Sequence, residues 1–552
     1  MDFSILARSF RRLSKWINRR LFPWKEPSEA FVKALGLPYV KGSEDRPGLL
    51  LIQIDGLGRR VLERALAEGR MPFLSRLISK EGHEVHKLYS GIPPTTAAVQ
   101  AEILYGKSCA VPAFSYLSKH LGRMIHMNEG EAAEKVQEEL EKDCHPLLSK
   151  GSAYGDIYTG GAEEPHYCAA AFGSHEVLKG KSRLTTSWIL LLHFFVLLRT
   201  LALTILELFI ALWDFFRGTL MGFHPLHELK FIAIRVFIVI LLREFIVASA
   251  RMDLIRGLPI VHLNLLGYDE QSHRRGPRSS FANWCLKGID DAIARIAKTA
   301  WRSRRRDYEL WVYSDHGQIA STPYEAIHGL SLKERLASLS SLNPPPEENK
   351  SREPGGEQLG RALWIKNNVL SRIFASKQEG EESKEMGEIP ESDGFELSDD
   401  GPLAQIYYKK TPSPEQRASL ASKLTDELGV PMVLWLDGDG EPMVRTEGKL
   451  YRLPDDASHV FGAHHPFFDM VVDDTIDLLK HEESGDLLLC GWSPKCEEVL
   501  CFNHERGSHG SFSPEECDAF AILSNHGAKD LEAKQGWLRP RDIHRMARDL
   551  VE

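Results

Sequence analysis

Residues 48–56 read GLLLIQIDG, a short apolar run that ends in Asp55 and Gly56. Two later runs have the same form, residues 259–266 (PIVHLNLL) and residues 309–313 (ELWVY), and each ends at a polar cluster. Near-continuous apolar strands that alternate with helical stretches are typical of a mainly parallel sheet covered by helices on both faces. Ligands of such sheets bind beyond the carboxyl ends of the strands. We therefore predict an α/β fold with its functional site at that edge.

Acidic and histidine side chains follow all three predicted strands. Asp55 follows the first, Asp269 and His273 follow the second, and Asp315 and His316 follow the third. A single Asp after a strand is more simply a turn residue or a helix cap. Several strand ends that all carry Asp or His favour a metal site, because carboxylate oxygens and imidazole nitrogens bind zinc and also manganese. Two such ions could clamp the attacking and leaving oxygens of a phosphoryl transfer.

Two threonines are candidates for the nucleophile of such a transfer. Residues 91–106 read GIPPTTAAVQAEILYG and place Thr95 and Thr96 at the start of a helical stretch. A hydroxyl bound to a metal ion loses its proton more readily, so either threonine could attack phosphorus.

Taken in order, these segments resemble the alkaline phosphatase superfamily, and most closely its nucleotide pyrophosphatase/phosphodiesterase branch. That branch has an Asp after the first strand, a Thr nucleophile opening a helix, and D-x-x-x-H-x-x-G-P, S-D-H-G and late G-x-H-G segments. The matching residues here are Asp55, Asp269, His273, Gly276, Pro277, Ser314, Asp315, His316, Gly317, His509 and Gly510. The family threonine lies ten residues before a glycine, as Thr96 does before Gly106, so the resemblance favours Thr96 over Thr95. It covers roughly residues 48–120, 259–320 and 485–525.

The resemblance implies an alkaline-phosphatase-like sheet and a phosphoric ester hydrolase with two divalent ions, zinc in the first place and manganese as the alternative. One ion would be held by Asp269, His273 and His509, and the other by Asp55, Thr96, Asp315 and His316. The chain departs from the family at Val99, where diesterases usually have an Asn. The next residue, Gln100, has a side-chain amide, but it projects from the helix one residue away from the position of that Asn. Diester hydrolysis, monoester hydrolysis and phosphoryl transfer therefore stay open. The sulfatase signature is absent around Thr96.

Composition narrows the class of protein further. The chain has 552 residues, 43% of them hydrophobic and 26% charged, which is ordinary for a globular protein of more than one domain. Its net charge of −9 argues against a nucleic-acid partner. The eight cysteines are scattered without a CxxC pair, which is typical of free thiols in a reducing compartment.

Two segments favour a membrane surface as a partner. Residues 1–30 alternate aromatic or apolar residues with arginines and lysines at helical spacing, as interfacial helices do, although the same pattern fits a helix docked on the protein. Residues 188–216 and 229–250 are apolar and long enough to cross a bilayer. They nevertheless carry charges such as Glu207 and Arg243, each costing about 2.5–3.5 kcal/mol at a helix centre. Because Thr96 and Asp269 on either side must reach one site, the chain crosses the membrane twice or not at all.

We predict a membrane-dipping helical hairpin there, with a two-span hairpin or a buried helix pair as alternatives. The predicted divisions are a basic helix (1–30), a catalytic core in two parts (31–182 and 259–341), the apolar insertion between them (183–258), acidic loops or disorder (342–401), and a small α/β segment that returns to the core (402–552). In the last division, residues 487–491 and 499–502 are expected to return to the core.

The leading functional hypothesis is a membrane-associated metal-dependent phosphodiesterase or pyrophosphatase, acting on a phosphoester that could be lipid-linked. We expect it on the cytoplasmic side of the inner or plasma membrane, peripheral or hairpin-anchored, in an oligomeric state that the sequence leaves open. The alternatives are a lipid head-group phosphotransferase or phosphatase with the same site, and an inactive membrane scaffold.

Overall fold

The computed structural model describes residues 27–40, 46–171, 194–220, 236–339, 394–524 and 528–552. The predicted basic N-terminal helix, the middle of the apolar insertion and most of the predicted acidic loops lie outside these ranges.

Eighteen strands are present in the described ranges. They are β1 Gly48–Ile54, β2 His83–Tyr89, β3 Ser115–Ser118, β4 Arg123–His126, β5 Ser152–Tyr154, β6 Glu164–His166, β7 Ile260–Leu265, β8 Tyr308–Tyr313, β9 Ile319–Pro323, β10 Phe395–Asp400, β11 Leu403–Tyr408, β12 Met432–Leu436, β13 Pro442–Thr446, β14 Lys449–Arg452, β15 Leu487–Cys490, β16 Val499–Cys501, β17 Gly507–Ser508 and β18 Asp518–Ser524.

The α-helices of the same ranges cover the sheets and connect their strands. They are α1 Pro27–Leu35, α2 Arg59–Ala67, α3 Pro72–Lys80, α4 Thr96–Tyr105, α5 Gly130–Asp143, α6 Phe194–Leu220, α7 Arg243–Arg256, α8 Gly267–Arg275, α9 Ser280–Arg302, α10 Tyr324–His328, α11 Leu332–Leu339, α12 Pro414–Asp426, α13 Phe468–Lys480, α14 Pro514–Cys517, α15 Ala528–Gln535 and α16 Pro540–Val551. Short π-helical segments occur at Phe237–Leu242 and Ser458–Gly462, and a 3-10 turn at Ala169–Ala171.

The central sheet has seven strands in the order β2-β18-β8-β1-β7-β5-β6. Strand β1 is parallel to both β7 and β8, and only β18 runs antiparallel to its neighbours, β2 and β8. Along β1, Leu49 and Leu51 enter one core cluster while Leu50, Ile52 and Ile54 enter the other. This two-sided burial explains why every residue of the strand except Gln53 is apolar, and it confirms the predicted mixed α/β fold with a mostly parallel sheet.

A second sheet departs from the prediction. Its six strands run β10-β11-β15-β12-β13-β14, all antiparallel. Residues 487–490, expected to return to the core, form β15 between β11 and β12 instead, and β16 pairs with β9 in a small separate sheet. A short, uniformly apolar run has the same pattern in either sheet, so only long-range pairing decides its place. The end of the predicted acidic loop is likewise a strand, β10, paired with β11.

The apolar insertion contributes helix α6, the π-helical segment and helix α7. Large apolar side chains of α6 face outward, with Phe209 67% exposed and Trp213 71% exposed. Two of its charged residues contact the protein: Glu207 is buried, and Arg199 pairs with acidic residues of α7 and α9. In the ranges that the structure describes, no helix meets the length and apolarity that crossing a membrane requires. The predicted turn between the two apolar stretches, residues 217–228, lies mostly outside the described chain.

Candidate active site

Three neighbouring parallel strands bring the predicted ligands to one edge of the sheet. Asp55 directly follows β1, Asp315 and His316 follow β8, and α8, which begins just after β7, carries Asp269 and His273. Because β7, β1 and β8 are adjacent and parallel, their carboxyl ends meet. The remaining predicted residues, Thr96 at the start of α4 and His509 after β17, are buried with these five.

Two overlapping groups of donors could hold metal ions. In one, single ligand atoms of Asp55, Asp315 and His316 all lie within 4.8 Å of one another, and in the other those of Asp269, His316 and His509 do. His316 Nε2 is 3.4 Å from Asp315 Oδ2 and 4.0 Å from Asp55 Oδ1. His316 thus belongs to both groups, each of which could hold a metal ion.

His273 lies at the Asp269 end of this cluster. Its Nε2 is 3.1 Å from Asp269 Oδ2, and its ring centroid is 5.0 Å from that of His509. Its Nδ1 is 2.9 Å from Glu505, a buried carboxylate that sequence reasoning missed. A carboxylate behind a ligand histidine orients the ring and makes it a stronger donor. The predicted division of the ligands between the two ions remains a prediction.

Backbone carbonyls fix the orientation of the imidazole rings of His316 and His509. His316 Nδ1 lies 3.0 Å from the carbonyl oxygen of Gly317, and His509 Nδ1 lies 2.9 Å from that of Pro94. A carbonyl oxygen only accepts hydrogen bonds, so each Nδ1 carries the proton and each Nε2 presents a lone pair to the cluster. The donor set therefore fits divalent zinc or manganese.

Side-chain amides hold the carboxylates in place. Asn264 Nδ2 donates to Asp55 Oδ2 at 2.7 Å, and Gln53 Nε2 donates to Asp315 Oδ2 at 2.7 Å, while Gln318 donates to Asp269. Gln53 and Asn264 are register partners on β1 and β7. Sequence reasoning missed both, although polar residues inside otherwise apolar buried strands are a usable signal.

The glycine after Asp55 is required by its neighbours. Gly56 has a φ of +69°, and a Cβ there would lie 2.4 Å from Asp269 Oδ1. Its N–H also donates to Asp315 Oδ1 at 3.1 Å. The Asp-Gly pair is therefore both a turn and the point where the strand approaches two ligand carboxylates.

Burial and neighbouring charges shift the pKa values of Asp315 and Asp269 in opposite directions. Burial raises the pKa of Asp315 to about 7. Burial also acts to raise the pKa of Asp269, but the charge and hydrogen bond of His273 hold it well below its usual range. Burial lowers the pKa of both His316 and His509, which keeps these rings neutral. Neutral imidazoles beside buried carboxylates are a favourable environment for a cation.

The candidate nucleophile lies at the junction of the two donor groups. Thr96 Oγ1 is 3.4 Å from Asp55 Oδ1 and 3.4 Å from His316 Nε2. The hydroxyl of Thr95 is buried without a hydrogen-bond partner among the described residues. Of the two threonines, Thr96 is therefore the one whose hydroxyl contacts the donor groups.

The positions after Thr96 do not replace the amide of the diesterase family. Val99 is part of the hydrophobic core. The amide nitrogen of Gln100 donates to Gln53 and Asp156, and its oxygen accepts from the N–H of Ile157. Both ends of the Gln100 amide are thus occupied by these hydrogen bonds.

Comparison with known proteins finds similarity in structure alone. Neither a family model nor a curated protein matches the sequence. Solved structures that are similar include the phosphonoacetate hydrolase of Sinorhizobium meliloti in complex with phosphonoformate, with a TM-score of 0.45 and 14% identity over 94% of this chain and 100% of that chain. They also include the murine ectonucleotide pyrophosphatase/phosphodiesterase 5, with a TM-score of 0.46 and 10% identity over 91% of this chain and 95% of that chain. The activity proposed for this chain rests on its own residues.

Proposed function

We propose that the chain is a metal-dependent phosphoester hydrolase of the phosphodiesterase/pyrophosphatase type, with Thr96 as its nucleophile. The observation that carries the proposal is the position of the Thr96 hydroxyl, whose Oγ1 is 3.4 Å from Asp55 Oδ1 and 3.4 Å from His316 Nε2. Two divalent cations bound by the surrounding acids and histidines would neutralise phosphoryl charge and lower the pKa of the hydroxyl.

The residues of the chain fit a two-step transfer. The hydroxyl of Thr96 donates to Asp55, which directs an oxygen lone pair away from the carboxylate and toward a bound phosphoryl group. The hydroxyl proton passes to Asp55 as the oxygen of Thr96 bonds to phosphorus and the bond to the leaving oxygen breaks. Water then attacks the phosphothreonine, which releases the phosphoryl group and restores the Thr96 hydroxyl. The side chain of Thr95 does not cap α4, so N–H groups of its first turn can donate to phosphoryl oxygens.

The outward apolar face of α6 supports association with a lipid surface. A helix of a soluble domain normally turns its apolar side chains inward, whereas α6 buries Glu207 and exposes Phe209 and Trp213. Contiguous exposed apolar surface of this kind marks an interaction site. With the basic N-terminal segment, it would hold the protein on the cytoplasmic face of a membrane, where a lipid-linked phosphoester is locally concentrated.

Turnover of lipid-linked and soluble substrates tests the proposed substrate class. We expect the zinc- or manganese-loaded protein to hydrolyse a phospholipid-like diester in mixed micelles with a kcat/KM at least about tenfold above that for ATP or a soluble nitrophenyl diester, because micelle binding adds affinity. Thr96→Ala in the same assay controls for contaminating hydrolases. Equal or better turnover of ATP would refute the lipid substrate and favour a pyrophosphatase of soluble nucleotides.

Membrane attachment can be tested separately by liposome flotation. Phe209→Glu combined with Trp213→Glu should reduce flotation at least about tenfold, because charges placed on an apolar face oppose its insertion. The matched control is Leu450→Glu, since Leu450 is 54% exposed but lies on β14 of the second sheet. Flotation in 1 M salt, where the Debye length is about 3 Å, isolates the apolar contribution. Undiminished flotation of the double variant would contradict a role for α6.

A further inference from the structure

A closed ring of buried polar side chains lies behind the candidate metal ligand Asp315. Its five members come from β1, α4, the segment after β5, β7 and β8, and they are Gln53, Gln100, Asp156, His262 and Tyr313. Each member is at most 2% exposed, and neighbouring members lie 2.8–3.1 Å apart. This polar ring therefore ties the three strands of the site to the helix that begins at Thr96.

A backbone N–H group sets the direction of the hydrogen bonds in the polar ring. The N–H of Ile157 donates to Oε1 of Gln100 at 2.7 Å. Because a backbone N–H can only donate, the other end of the Gln100 amide must be its nitrogen. That nitrogen donates to Oε1 of Gln53 at 3.0 Å and to Oδ1 of Asp156 at 3.1 Å. The Gln53 amide is thereby turned so that its own nitrogen faces Asp315, to which it donates at 2.7 Å.

The other half of the polar ring imposes the same direction through Tyr313. Oε1 of Gln53 can only accept hydrogen bonds, so the hydroxyl of Tyr313 donates to it, at 3.0 Å. The oxygen of the same hydroxyl lies 2.8 Å from Nε2 of His262. Since the hydroxyl proton is already used, this oxygen accepts from His262, and Nε2 of His262 therefore carries a proton.

Asp156 and His262 close the polar ring by sharing one further proton. Nδ1 of His262 lies 2.8 Å from Oδ2 of Asp156, and two lone pairs do not face each other at that distance. Whichever of the two atoms binds the proton, the pair carries no net charge, which avoids the cost of an unpaired buried carboxylate. Burial raises the pKa of Asp156 and so strengthens its hold on this proton. The pair thus keeps donors fixed toward Gln53 from both sides.

We propose that Gln100 and Tyr313 are positioning residues for Asp315, which act through Gln53 to keep an N–H, and never the amide oxygen, facing that carboxylate. The inference rests on the proposed role of Asp315 as a metal ligand. A reversed Gln53 amide would place its oxygen where the nitrogen now lies, 2.7 Å from Oδ2 of Asp315, and two acceptors at that distance repel. The carboxylate would turn away from Gln53, and its oxygens would no longer be held toward the other candidate ligands.

A double-mutant cycle on the affinity for Mn²⁺ tests the proposal. Gln100→Leu and Tyr313→Phe each leave one donor to Oε1 of Gln53, so each should weaken binding by less than about threefold, whereas the double variant should weaken it at least about 30-fold. The reason for the larger loss is that a Gln53 amide without either donor is free to turn its oxygen toward Asp315. The affinity is measured by electron paramagnetic resonance of unbound Mn²⁺. Merely additive losses in the double variant would overturn the proposal.

Two further variants separate this role from general damage and from the metal site itself. The matched control is Tyr308→Phe, which removes a buried hydroxyl from the same strand, β8, where it donates to the carbonyl of Leu258 at 2.6 Å; it should bind Mn²⁺ like the wild type. Asp315→Asn shows which binding event belongs to Asp315. If Asp315→Asn loses an ion and the double variant binds like the wild type, the positioning role is overturned and the proposed function stands. If Asp315→Asn also binds like the wild type, both are overturned.

Neutron diffraction from crystals of the perdeuterated wild-type protein keeps the test decisive if the double variant fails to fold. Deuterium should lie on Nε2 of His262, and the deuterium of the Tyr313 hydroxyl should point to Oε1 of Gln53. A hydroxyl deuterium that points to His262 instead would remove Tyr313 as a donor to Gln53 and overturn the proposal.

Discussion

Thr96→Ala is expected to abolish phosphoester hydrolysis, lowering kcat by at least about 10³-fold, as loss of a covalent nucleophile does in other hydrolases. The variant should keep its metal content, because carboxylates and histidines form most of both donor groups. Thr96→Ser should retain measurable turnover, since the hydroxyl remains. The measurement is steady-state hydrolysis of a nitrophenyl phosphodiester, alongside elemental analysis of each variant.

The neighbouring threonine is the matched control for this experiment. Thr95 is also buried and lies one residue earlier, but its hydroxyl makes no hydrogen bond to any described residue, the candidate metal ligands included. Thr95→Ala should therefore keep most of the activity. An inactive Thr95→Ala beside an active Thr96→Ala would show that the nucleophile is Thr95, and trapping the phosphoryl-enzyme by mass spectrometry would locate it directly.

Sequence reasoning predicted the strands of the site because their burial is two-sided. Residues buried on both faces must be apolar, so β1, β7 and β8 stand out as short runs that end where the first polar ligand begins. Asp55 and Asp315 could be placed from that local pattern alone. The resemblance favoured Thr96 over Thr95 and implied His509 as a ligand, and the contacts of both residues with the others depend on distant segments.

The misplaced and missed features depend on pairing that local pattern does not encode. Strand β15 is apolar like the core strands, yet it pairs with β11 and β12 in the second sheet. Strand β18, not predicted, completes the central sheet between β2 and β8. Glu505 lies more than two hundred residues beyond His273, so nothing near either residue in the sequence links them.

The role of Gln53 and Asn264 could have been inferred from the sequence. An uncharged polar side chain inside a buried apolar strand is unfavourable unless it forms hydrogen bonds. Both residues lie one position before the last residue of their strands, where they can reach the carboxylates at the sheet edge. Each donates to a candidate ligand carboxylate in the structure. A polar residue near the end of a buried strand can therefore indicate a side chain that holds a ligand in place, as well as a ligand itself.

Replacing Asp315 with asparagine is expected to remove metal and activity together while the fold persists. Asp315 belongs to the donor group with Asp55 and His316, and a neutral amide oxygen is a far weaker ligand for a divalent ion than a carboxylate. The metal-to-protein ratio after dialysis should fall by at least about half, since one of the two proposed ions loses a charged ligand. Hydrolysis should fall about 10²-fold or more, because the ion near the Thr96 hydroxyl would be missing.

Stability separates loss of metal from loss of fold in this variant. Asp315 accepts hydrogen bonds from Gln53 and from the N–H of Gly56, and the side-chain oxygen of asparagine can keep one of them. An unsatisfied buried donor costs about 1–3 kcal/mol, less than the roughly 5–15 kcal/mol stability of a typical domain. Asp290→Asn is the matched control, because Asp290 is also buried and accepts two backbone hydrogen bonds in the α3–α9 contact. A folded Asp315→Asn protein with an unchanged metal-to-protein ratio would remove Asp315 from the metal site.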